Sequence, residues 1–423
     1  MIKLLIIADD FTGALDTGVL FAAYGAATRV KTGAGHDFLQ QGADTQVLVL
    51  DAQTRHLTPE AAYTVVFTIV KDALRAGVPF IYKKTDSALR GNIGSELAAM
   101  MDAGGVGRMT FVPAYPKMGR TTREGVHYIE GVPVAQSIFG KDPFEPVRYS
   151  DIRDIVAQQT DKQVVLHRAD ASADFTGELG IQLYDAESVE RLTVIADAVG
   201  LEGLRFSAGC AGFAEIMAQR LALTGPAPQV PALKAALLVV CGSVNPVTRA
   251  QLQTAEQNGF HRMRLTLAQK LDPQWPGSSD CARAVDGWLA LIKTGGQLIL
   301  DTNDPEGGEE TKSFAALHGL STEQVRLRIS SALAALAKRL LDKGLDATLM
   351  CTGGDTLLAL MQAIGIDELT PVCELEPGVV LSHFLYDGRF YDIITKSGGF
   401  GSPALICNLA QRLSRQSEEG MTL

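Results

Sequence analysis

Short apolar runs rich in β-branched residues alternate with amphipathic stretches along almost the whole chain, and each run closes on polar or glycine-rich residues. The opening stretch "LLIIADDFTGALDTG" (4–18) shows the pattern. Ile2–Ala8 is apolar apart from Lys3 and reads as a strand covered on both faces, as in a parallel sheet. Asp9 and Asp10 end it, Thr12-Gly13-Ala14 opens a turn into a helix, and that helix carries a third acid, Asp16. Neighbouring carboxylates repel, and burying them is costly unless something pairs them. Either one of them caps the helix, or they face the crevice at the carboxyl ends of a parallel sheet, where ligands bind.

The same alternation continues downstream. Thr58, Pro59 and Gly77 bracket a helix over 59–76. "VPFIYKK" and "MTFVPAYP" (109–116) read as strands, and "LGIQLYDAESVERL" reads as strand, Asp185 cap, helix. "GLRFSAGCAGFAEIMAQRLAL" reads as strand, small-residue loop, helix. "TGPAPQVPALK" (224–234), with three prolines, breaks the pattern and marks a domain boundary. The second half restarts with the strand "AALLVVCGS", and Ser321 with Gln324 forms a capping box for a long amphipathic helix that Gly344 stops. The fold class expected is α/β: two α/β domains, 1–226 and 227–423, with mostly parallel sheets and an active-site cleft between them.

Composition narrows the function. The 423 residues are 46% hydrophobic and 20% charged, with a net charge of −10, which argues against a general binder of nucleic acid or anionic membrane. No apolar run reaches the length of a membrane span, and Asp9 and Asp10 interrupt any leader-like start. The six cysteines (Cys210, Cys241, Cys281, Cys351, Cys373, Cys407) are scattered without a CxxC, which fits reduced thiols and a cytoplasmic protein.

Three segments of the second half share one design. A strand ends on Cys241-Gly242-Ser243 with a helix from Asn245-Pro246. Another ends on Thr352-Gly353-Gly354-Asp355-Thr356. A third ends on Lys396-Ser397-Gly398-Gly399-Phe400-Gly401, with a helix from Ser402-Pro403. Glycine allows close approach of the backbone to a ligand, and helix N-termini favour anions. The three loops match neither a P-loop nor GxGxxG, so the residues alone point to a nucleotide or phosphate site of an uncommon type.

The first half carries a basic loop, "YKKTDSALRGNIGSEL" (82–97), directly after a strand. Lys and Arg can hold a carboxylate, Ser and Asn can bond sugar hydroxyls, and Asp86 can accept a proton from an attacking hydroxyl. "VPAYPKMGRTTREGVHY" (112–128), with Lys117, Arg120, Arg123 and His127, has the same texture, and "DAQTRH" (51–56) ends another apolar run on Asp51 with Arg55 and His56 nearby. A parallel sheet puts all these clusters on one edge. Helix capping and a solvated charged surface are the bland readings of each. The dispersed histidines offer no zinc spacing, no GxSxG is present, and "DTNDPEGGEE" (301–310) fails the EF-hand template and reads as an exposed loop. An oxidoreductase and a non-catalytic sugar-acid sensor are the rival classes.

Taken together, "ADDFTGA" (8–14), "KKTDSALRGNIG" (83–94), "PAYPKMGRTT" (113–122), "SAGCAGFAE" (207–215), "CGSVNPVTRAQ" (241–251), "TGGDT" (352–356) and "KSGGFG" (396–401) resemble the four-carbon acid sugar kinases, in family order. The resemblance implies an N-terminal acid-sugar-binding domain, a C-terminal ATP-binding domain, and phosphorylation of the 4-hydroxyl of a four-carbon sugar acid with ATP and Mg²⁺. It implies sugar-acid contacts from Asp9, Asp10, Arg55, Lys84, Thr85, Asp86 and Ser87, to which the basic loop's chemistry adds Arg90 and Asn92. It implies ATP contacts from Ser243, Gly353, Gly354, Asp355, Thr356 and Gly399, to which the glycine-loop reading adds Lys396 and Gly398. In the expected mechanism Arg55 and the 84–87 loop hold the carboxylate. Asp86 is the first choice of base and Asp10 the second, and Asp355 or Asp9 and Asp10 lie near the metal, whose ligands stay unassigned. "TDSALRGN" looks more like the D-threonate branch, with Arg90 where 3-oxo-tetronate kinases tend to carry lysine; D-erythronate and 3-oxo-tetronate are the alternatives. Ala88 and Cys210 depart from the residues frequent in the family. The expected partners are the sugar acid and ATP, without nucleic acid or membrane, and with room for a homodimer.

Overall fold

The computed structural model describes residues 2–33, 44–142, 145–169, 175, 177–226, 230–305 and 309–419. The chain divides into two compact units, Met1–Pro228 and Gln229–Leu423, and part of the expected 224–234 boundary segment lies outside the described residues.

The first unit contains strands β1 (Leu4–Ala8), β2 (Thr28–Thr32), β3 (Val47–Asp51), β4 (Phe80–Lys84), β5 (Arg108–Val112), β6 (Arg120–Arg123), β7 (Val126–Ile129), β8 (Val132–Pro133), β9 (Val164–His167), β10 (Gly180–Tyr184) and β11 (Phe206–Gly209). Its helices are α1 (Phe11–Ala23), α2 (Pro59–Arg75), α3 (Ile93–Gly104), α4 (Ile152–Ala157), α5 (Val189–Arg205) and α6 (Ala211–Arg220). The main sheet runs β2-β3-β1-β4-β11-β5-β10-β9, every pairing parallel. β1, β3 and β10 are buried along their whole length, as their unbroken apolar runs require. From β1 the chain crosses to one side for β2 and β3 and returns to the other for β4, so the ends of β1 and β4 border a topological switch point. Register places Ala8 beside both Asp51 and Lys84, and Gly209 beside Lys84 and Val112. The residues that follow these strands therefore share one edge. A separate antiparallel sheet, β6-β7-β8, follows β5.

The second unit contains β12 (Leu237–Cys241), β13 (His261–Arg264), β14 (Leu298–Asp301), β15 (Thr348–Thr352), β16 (Glu368–Glu376), β17 (Val379–Tyr386) and β18 (Arg389–Lys396). Its helices are α7 (Pro246–Gln257), α8 (Leu267–Leu271), α9 (Ser279–Lys293), α10 (Glu309–Leu317), α11 (Thr322–Asp342), α12 (Gly354–Ile364) and α13 (Leu405–Glu419). The order is β13-β14-β12-β15-β18-β17-β16: parallel through β18, then an antiparallel meander. The meander's signal is in the sequence. Asp387-Gly388 sits between two alternating runs, and both residues take positive φ, as a tight hairpin turn demands. Among the described residues no helix is long and apolar enough to cross a membrane.

Capping explains several boundaries and corrects others. The Thr58 side chain accepts from the Ala61 N–H, and Ser321 with Gln324 completes a capping box. Asp185 does not cap α5; Ser188 does. Asp185 instead accepts the Glu124 and Gly125 N–H groups at 2.7 and 3.0 Å, closing the turn between β6 and β7. The helix after the third glycine loop begins at Leu405, beyond the expected Ser402-Pro403. The segment expected to be an exposed loop starts inside β14, and Asp301–Asp304 are all buried; residues 306–308 lie outside the described residues. Its two aspartates are spent on internal bonds, Asp301 accepting from Arg262 and Asp304 pairing with Lys270, whereas Glu309 and Glu310 are exposed at the start of α10.

Asp185→Ala leaves two turn N–H groups without their acceptor and should lower unfolding stability by about 1–3 kcal/mol in urea titration. Asp185→Asn, which keeps one acceptor oxygen, should cost less. Equal loss in both variants would assign the effect to charge instead.

Candidate functional site

At the sheet edge of the first unit, one arginine gathers three acids. Arg55 follows β3 and is largely buried, with 10% of its side chain exposed. Its Nε donates to Asp9 at 2.7 Å, its Nη1 to Asp10 at 2.9 Å, and its Nη2 lies 3.4 Å from Asp86. Asp10 also caps α1, accepting from the Gly13 N–H at 3.0 Å and the Thr12 hydroxyl at 2.6 Å. Capping and membership of the acid cluster thus fall to the same side chain. Gly13 is required there, because a Cβ would sit 2.6 Å from Asp10 Oδ1 and 3.0 Å from Lys84 Nζ.

The electrostatics follow from this packing. Burial alone would raise the Asp10 and Asp86 carboxyls. Arg55 and Lys84 outweigh it at Asp10, and Arg90 and Arg55 outweigh it at Asp86, so both are held below the usual carboxylate range. Burial works against the Arg55 charge too, yet Asp10, Asp9 and Asp86 hold it firmly protonated. Asp51 is the opposite case. Burial and the neighbouring Asp10 push its carboxyl up to about 7, against hydrogen bonds from the Gln53 N–H and Thr32.

The basic loop divides its residues between support and site. Arg90 grips Asp86 in a two-point fork, both contacts at 2.9 Å, and reaches Asp142 at 3.3 Å. Asp86 also accepts from the Ala88 and Arg90 N–H groups, so donors from its own loop and from Arg55 surround its oxygens. That geometry argues against Asp86 as the first choice of base. Asp10, with 24% of its side chain exposed against 9% for Asp86, is the more accessible acceptor. Asn92 also departs from expectation: its amide donates to the Thr54 and Leu57 carbonyls and braces the loop that carries Arg55. Lys83 faces the opposite side of β4, where it pairs with buried Glu96 at 3.1 Å, and Glu96 accepts from the Thr54 hydroxyl. Lys84 Nζ donates to the Thr85 carbonyl at 2.8 Å. Asp9 Oδ1 and Thr85 Oγ1 are buried without a hydrogen-bond partner. His127, on β7, meets the Ser87 carbonyl at 2.9 Å through Nε2 and Thr122 through Nδ1. Burial lowers its pKa to about 4, so it is neutral at pH 7, and the carbonyl partner assigns the single proton to Nε2. Glu96 escaped the sequence reading because it sits inside an ordinary helix pattern; its only signal was Lys83, a second buried lysine that needs an acid.

In the second unit, register aligns Cys241, Thr352 and Lys396 at the ends of β12, β15 and β18, and so brings the three glycine loops together. The Ser243 carbonyl accepts from Asn303, and its Oγ accepts from the Asn245 N–H. α12 starts at Gly354 with Gly353 at φ +97° and no side-chain cap, which leaves its first N–H groups for an anion. Thr356 is buried on that first turn, whereas Asp355 points outward and pairs with Arg326 at 2.6 Å. Gly398 and Gly399 lie on the third loop, and Gly399 is exposed. Lys396 is spent internally: its Nζ donates to Thr248 Oγ1 and to the Ser397 and Gly398 carbonyls at 3.0–3.1 Å, and burial lowers its pKa to about 8. Thr248 donates to the Gly398 carbonyl, and the Gln251 amide reaches the carbonyls of Phe400, Gly401 and Ser402. Neither was singled out, because a helix face gives no sign of which loop it will meet. A cavity of about 710 Å³ lies beside Pro246, Arg249 and Asn303.

Residues 4–233 match the family model of a sugar-binding N-terminal domain, and residues 238–406 match that of a nucleotide-binding C-terminal domain. The chain is 30% identical to the D-threonate kinase of Salmonella typhimurium strain LT2, over 96% of this chain and 97% of that protein. It is 32% identical to the D-erythronate kinase of Heliobacterium modesticaldum, over 98% and 97%. A solved structure from Salmonella typhimurium LT2 shares the fold with a TM-score of 0.82 at 20% identity, covering 97% of this chain and 100% of that one.

The raised Asp51 carboxyl has a stability consequence of definite sign. An unfolded carboxyl titrates near 4 and the folded one near 7. Its contribution is therefore fully present below about pH 4 and is lost as pH rises through 7. Relative to wild type, Asp51→Asn should gain roughly 2–4 kcal/mol between pH 4 and pH 8 in urea titrations. A difference that stays flat across that range would refute the shift.

Proposed function

Because this chain belongs to the four-carbon acid sugar kinase family, and is a sugar-acid kinase, we propose that it transfers the γ-phosphoryl group of ATP to the 4-hydroxyl of D-threonate. The observation that carries this reading is the Arg55 cluster, which fixes acceptor carboxylates at the sheet edge of the unit that matches the sugar-binding model. Carboxylates accept from sugar hydroxyls, and Asp9 Oδ1 is a buried acceptor with no internal partner. The uncapped start of α12 and the N–H groups of the 398–399 loop suit the phosphates of ATP, and the 710 Å³ cavity beside Pro246 and Asn303 has room for a nucleoside.

The 4-hydroxyl oxygen forms a bond to the γ-phosphorus as the bond to the bridging oxygen of ADP breaks. Asp10 orients that hydroxyl and receives its proton. A carboxylate held at low proton affinity is a weak base, but a loose phosphoryl transition state asks mainly for positioning and charge stabilisation. Asp86 then acts as a positioning residue through Arg55 and Arg90. A magnesium ion carried in on ATP would supply positive charge against the transferring phosphoryl group. Among the described residues no cluster of three metal-ligating side chains is assembled; Asp355, on the first turn of α12, would reach such an ion only by leaving Arg326. The reaction belongs in the cytoplasm, where ATP is supplied. D-Threonate is favoured over 3-oxo-tetronate by the resemblance of "TDSALRGN", with Arg90 in place of lysine, to the D-threonate branch, although Arg90 acts there through loop shape; D-erythronate is the alternative.

ADP release should depend on the added acid and be fastest with D-threonate among D-threonate, L-threonate, D-erythronate and 3-oxo-tetronate. A different fastest acid would reassign the substrate and keep the reaction. In the same assay Asp10→Asn should lower kcat by roughly 10²- to 10⁴-fold. A folded Asp10→Asn enzyme within threefold of wild type would remove Asp10 from the role.

A further inference from the structure

We infer that Arg120, outside the residues assigned so far to the sugar-acid site, holds the carboxylate of the substrate, with Lys84 beside it; the assignment rests on the sugar-acid reaction proposed above.

A carboxylate brought to a buried edge needs a cation that is not already neutralised. Arg55 already serves Asp9, Asp10 and Asp86, which leaves its guanidinium surrounded by acid. Arg90 serves Asp86 and Asp142, Lys83 serves Glu96, and Lys117 serves Glu215. Arg120 differs. Only 12% of its side chain is exposed, and among the described residues the sole carboxylate within 4.0 Å of it is Glu130, at 3.9 Å and 80% exposed. One Nη donates to the Met118 carbonyl, and Nε is buried with no hydrogen-bond partner. A buried, largely uncompensated guanidinium with unused donors is a ready fork for a carboxylate.

Its placement is set by the small sheet. Arg120 and Thr122 are two residues apart on β6 and so share a face. Thr122 lies opposite His127, whose Nε2 donates to the Ser87 carbonyl. The face that carries Arg120 therefore looks onto the substrate loop. The anchor is short: Tyr115 and Arg120 exchange backbone hydrogen bonds where the chain leaves β5. The Arg120 charge also acts on His127 and on the Cys210 thiol, where Lys84 and Asp86 act as well. This arrangement orients the substrate. With the carboxylate on Arg120 and hydroxyls on Asp9 and Asp10, the far end of a four-carbon chain is its 4-hydroxyl.

The test compares wild type, Arg120→Leu, Arg120→Lys and Lys84→Met. Each is assayed with the four-carbon acid that wild type uses fastest and with threitol, which has a hydroxymethyl group in place of the carboxylate. Turnover gives KM for acid and for ATP, and calorimetry gives acid binding directly. Arg120→Leu should raise KM for the acid roughly 10- to 100-fold. It should leave KM for ATP unchanged and erase the preference for acid over threitol, while Arg120→Lys recovers part of that preference. An Arg120→Leu enzyme that keeps the acid-to-threitol ratio of wild type overturns the assignment while the reaction stands. Loss of the ratio in Lys84→Met alone gives the carboxylate to Lys84 and also overturns it. A folded wild type that neither turns over nor binds any of the four acids overturns the reaction itself, and this assignment with it.

Discussion

The buried guanidinium of Arg55 is the interaction on which the first unit's site depends. Three carboxylates, two at the end of β1 and one in the loop after its neighbour β4, could not share so small a volume without it. Breaking such a buried cluster by removing its cation costs about 3–5 kcal/mol, because the acids remain uncompensated. The cluster is fixed by parallel register: Ala8 lies beside Asp51 and Lys84, so Asp9, Arg55 and Asp86 emerge within reach of one another. Arg55 is in turn held by a second layer, in which Asn92 binds the Thr54 and Leu57 carbonyls and Glu96 binds Thr54. The acid cluster is thus supported from below by buried groups bonded to one another and to the backbone.

The second unit solves a different problem by similar means. A glycine-rich loop gains close approach to a ligand at the cost of conformational freedom. Here side chains restore the order. Gln251 gathers three successive carbonyls, and Lys396 with Thr248 fixes the Gly398 carbonyl from beneath. Asp301, held by Arg262, holds Asn303, which binds the Ser243 carbonyl. The start of α12 differs, with no side-chain cap, so its first N–H groups stay available for an anion.

Much of this was legible in the sequence. The strand–loop–helix alternation predicted the parallel sheets and put Asp9, Asp10, Arg55 and the 84–90 loop on one edge. Glycine spacing located the three loops of the second unit. What stayed hidden was direction. Asp86 read as a base because carboxylates near hydroxyl-binding residues do that work, yet its own loop folds back and saturates it. Lys396 read as a phosphate ligand, and burial turned it into a brace. Asp185 read as a cap because it precedes a helix, yet a turn sixty residues upstream claims it. In each case the direction in which the backbone turned decided the role, toward near neighbours for Asp86 and in part for Lys396 and toward a distant turn for Asp185, and spacing along the chain carries no record of it.

The adjacent lysines of β4 show how parity along a strand separates the two kinds of role. Successive side chains point to opposite faces, so a Lys-Lys pair at the end of a buried strand delivers one ammonium to each side. Lys83 meets Glu96 beneath the sheet and serves the frame. Lys84 rises among Asp10, Asp86 and Cys210, on the side of the acid cluster. A shift of one residue in the register of β4 would exchange these positions, leaving Glu96 without its cation and the pocket with a lysine held by the wrong acid. The unbroken burial of β1 beside it makes that shift prohibitive, since neighbouring apolar side chains fix β4 from below and above. The hydrophobic core and the charge distribution of the site are therefore a single constraint. The packing that buries Ile81 and Tyr82 is also what aims Lys84.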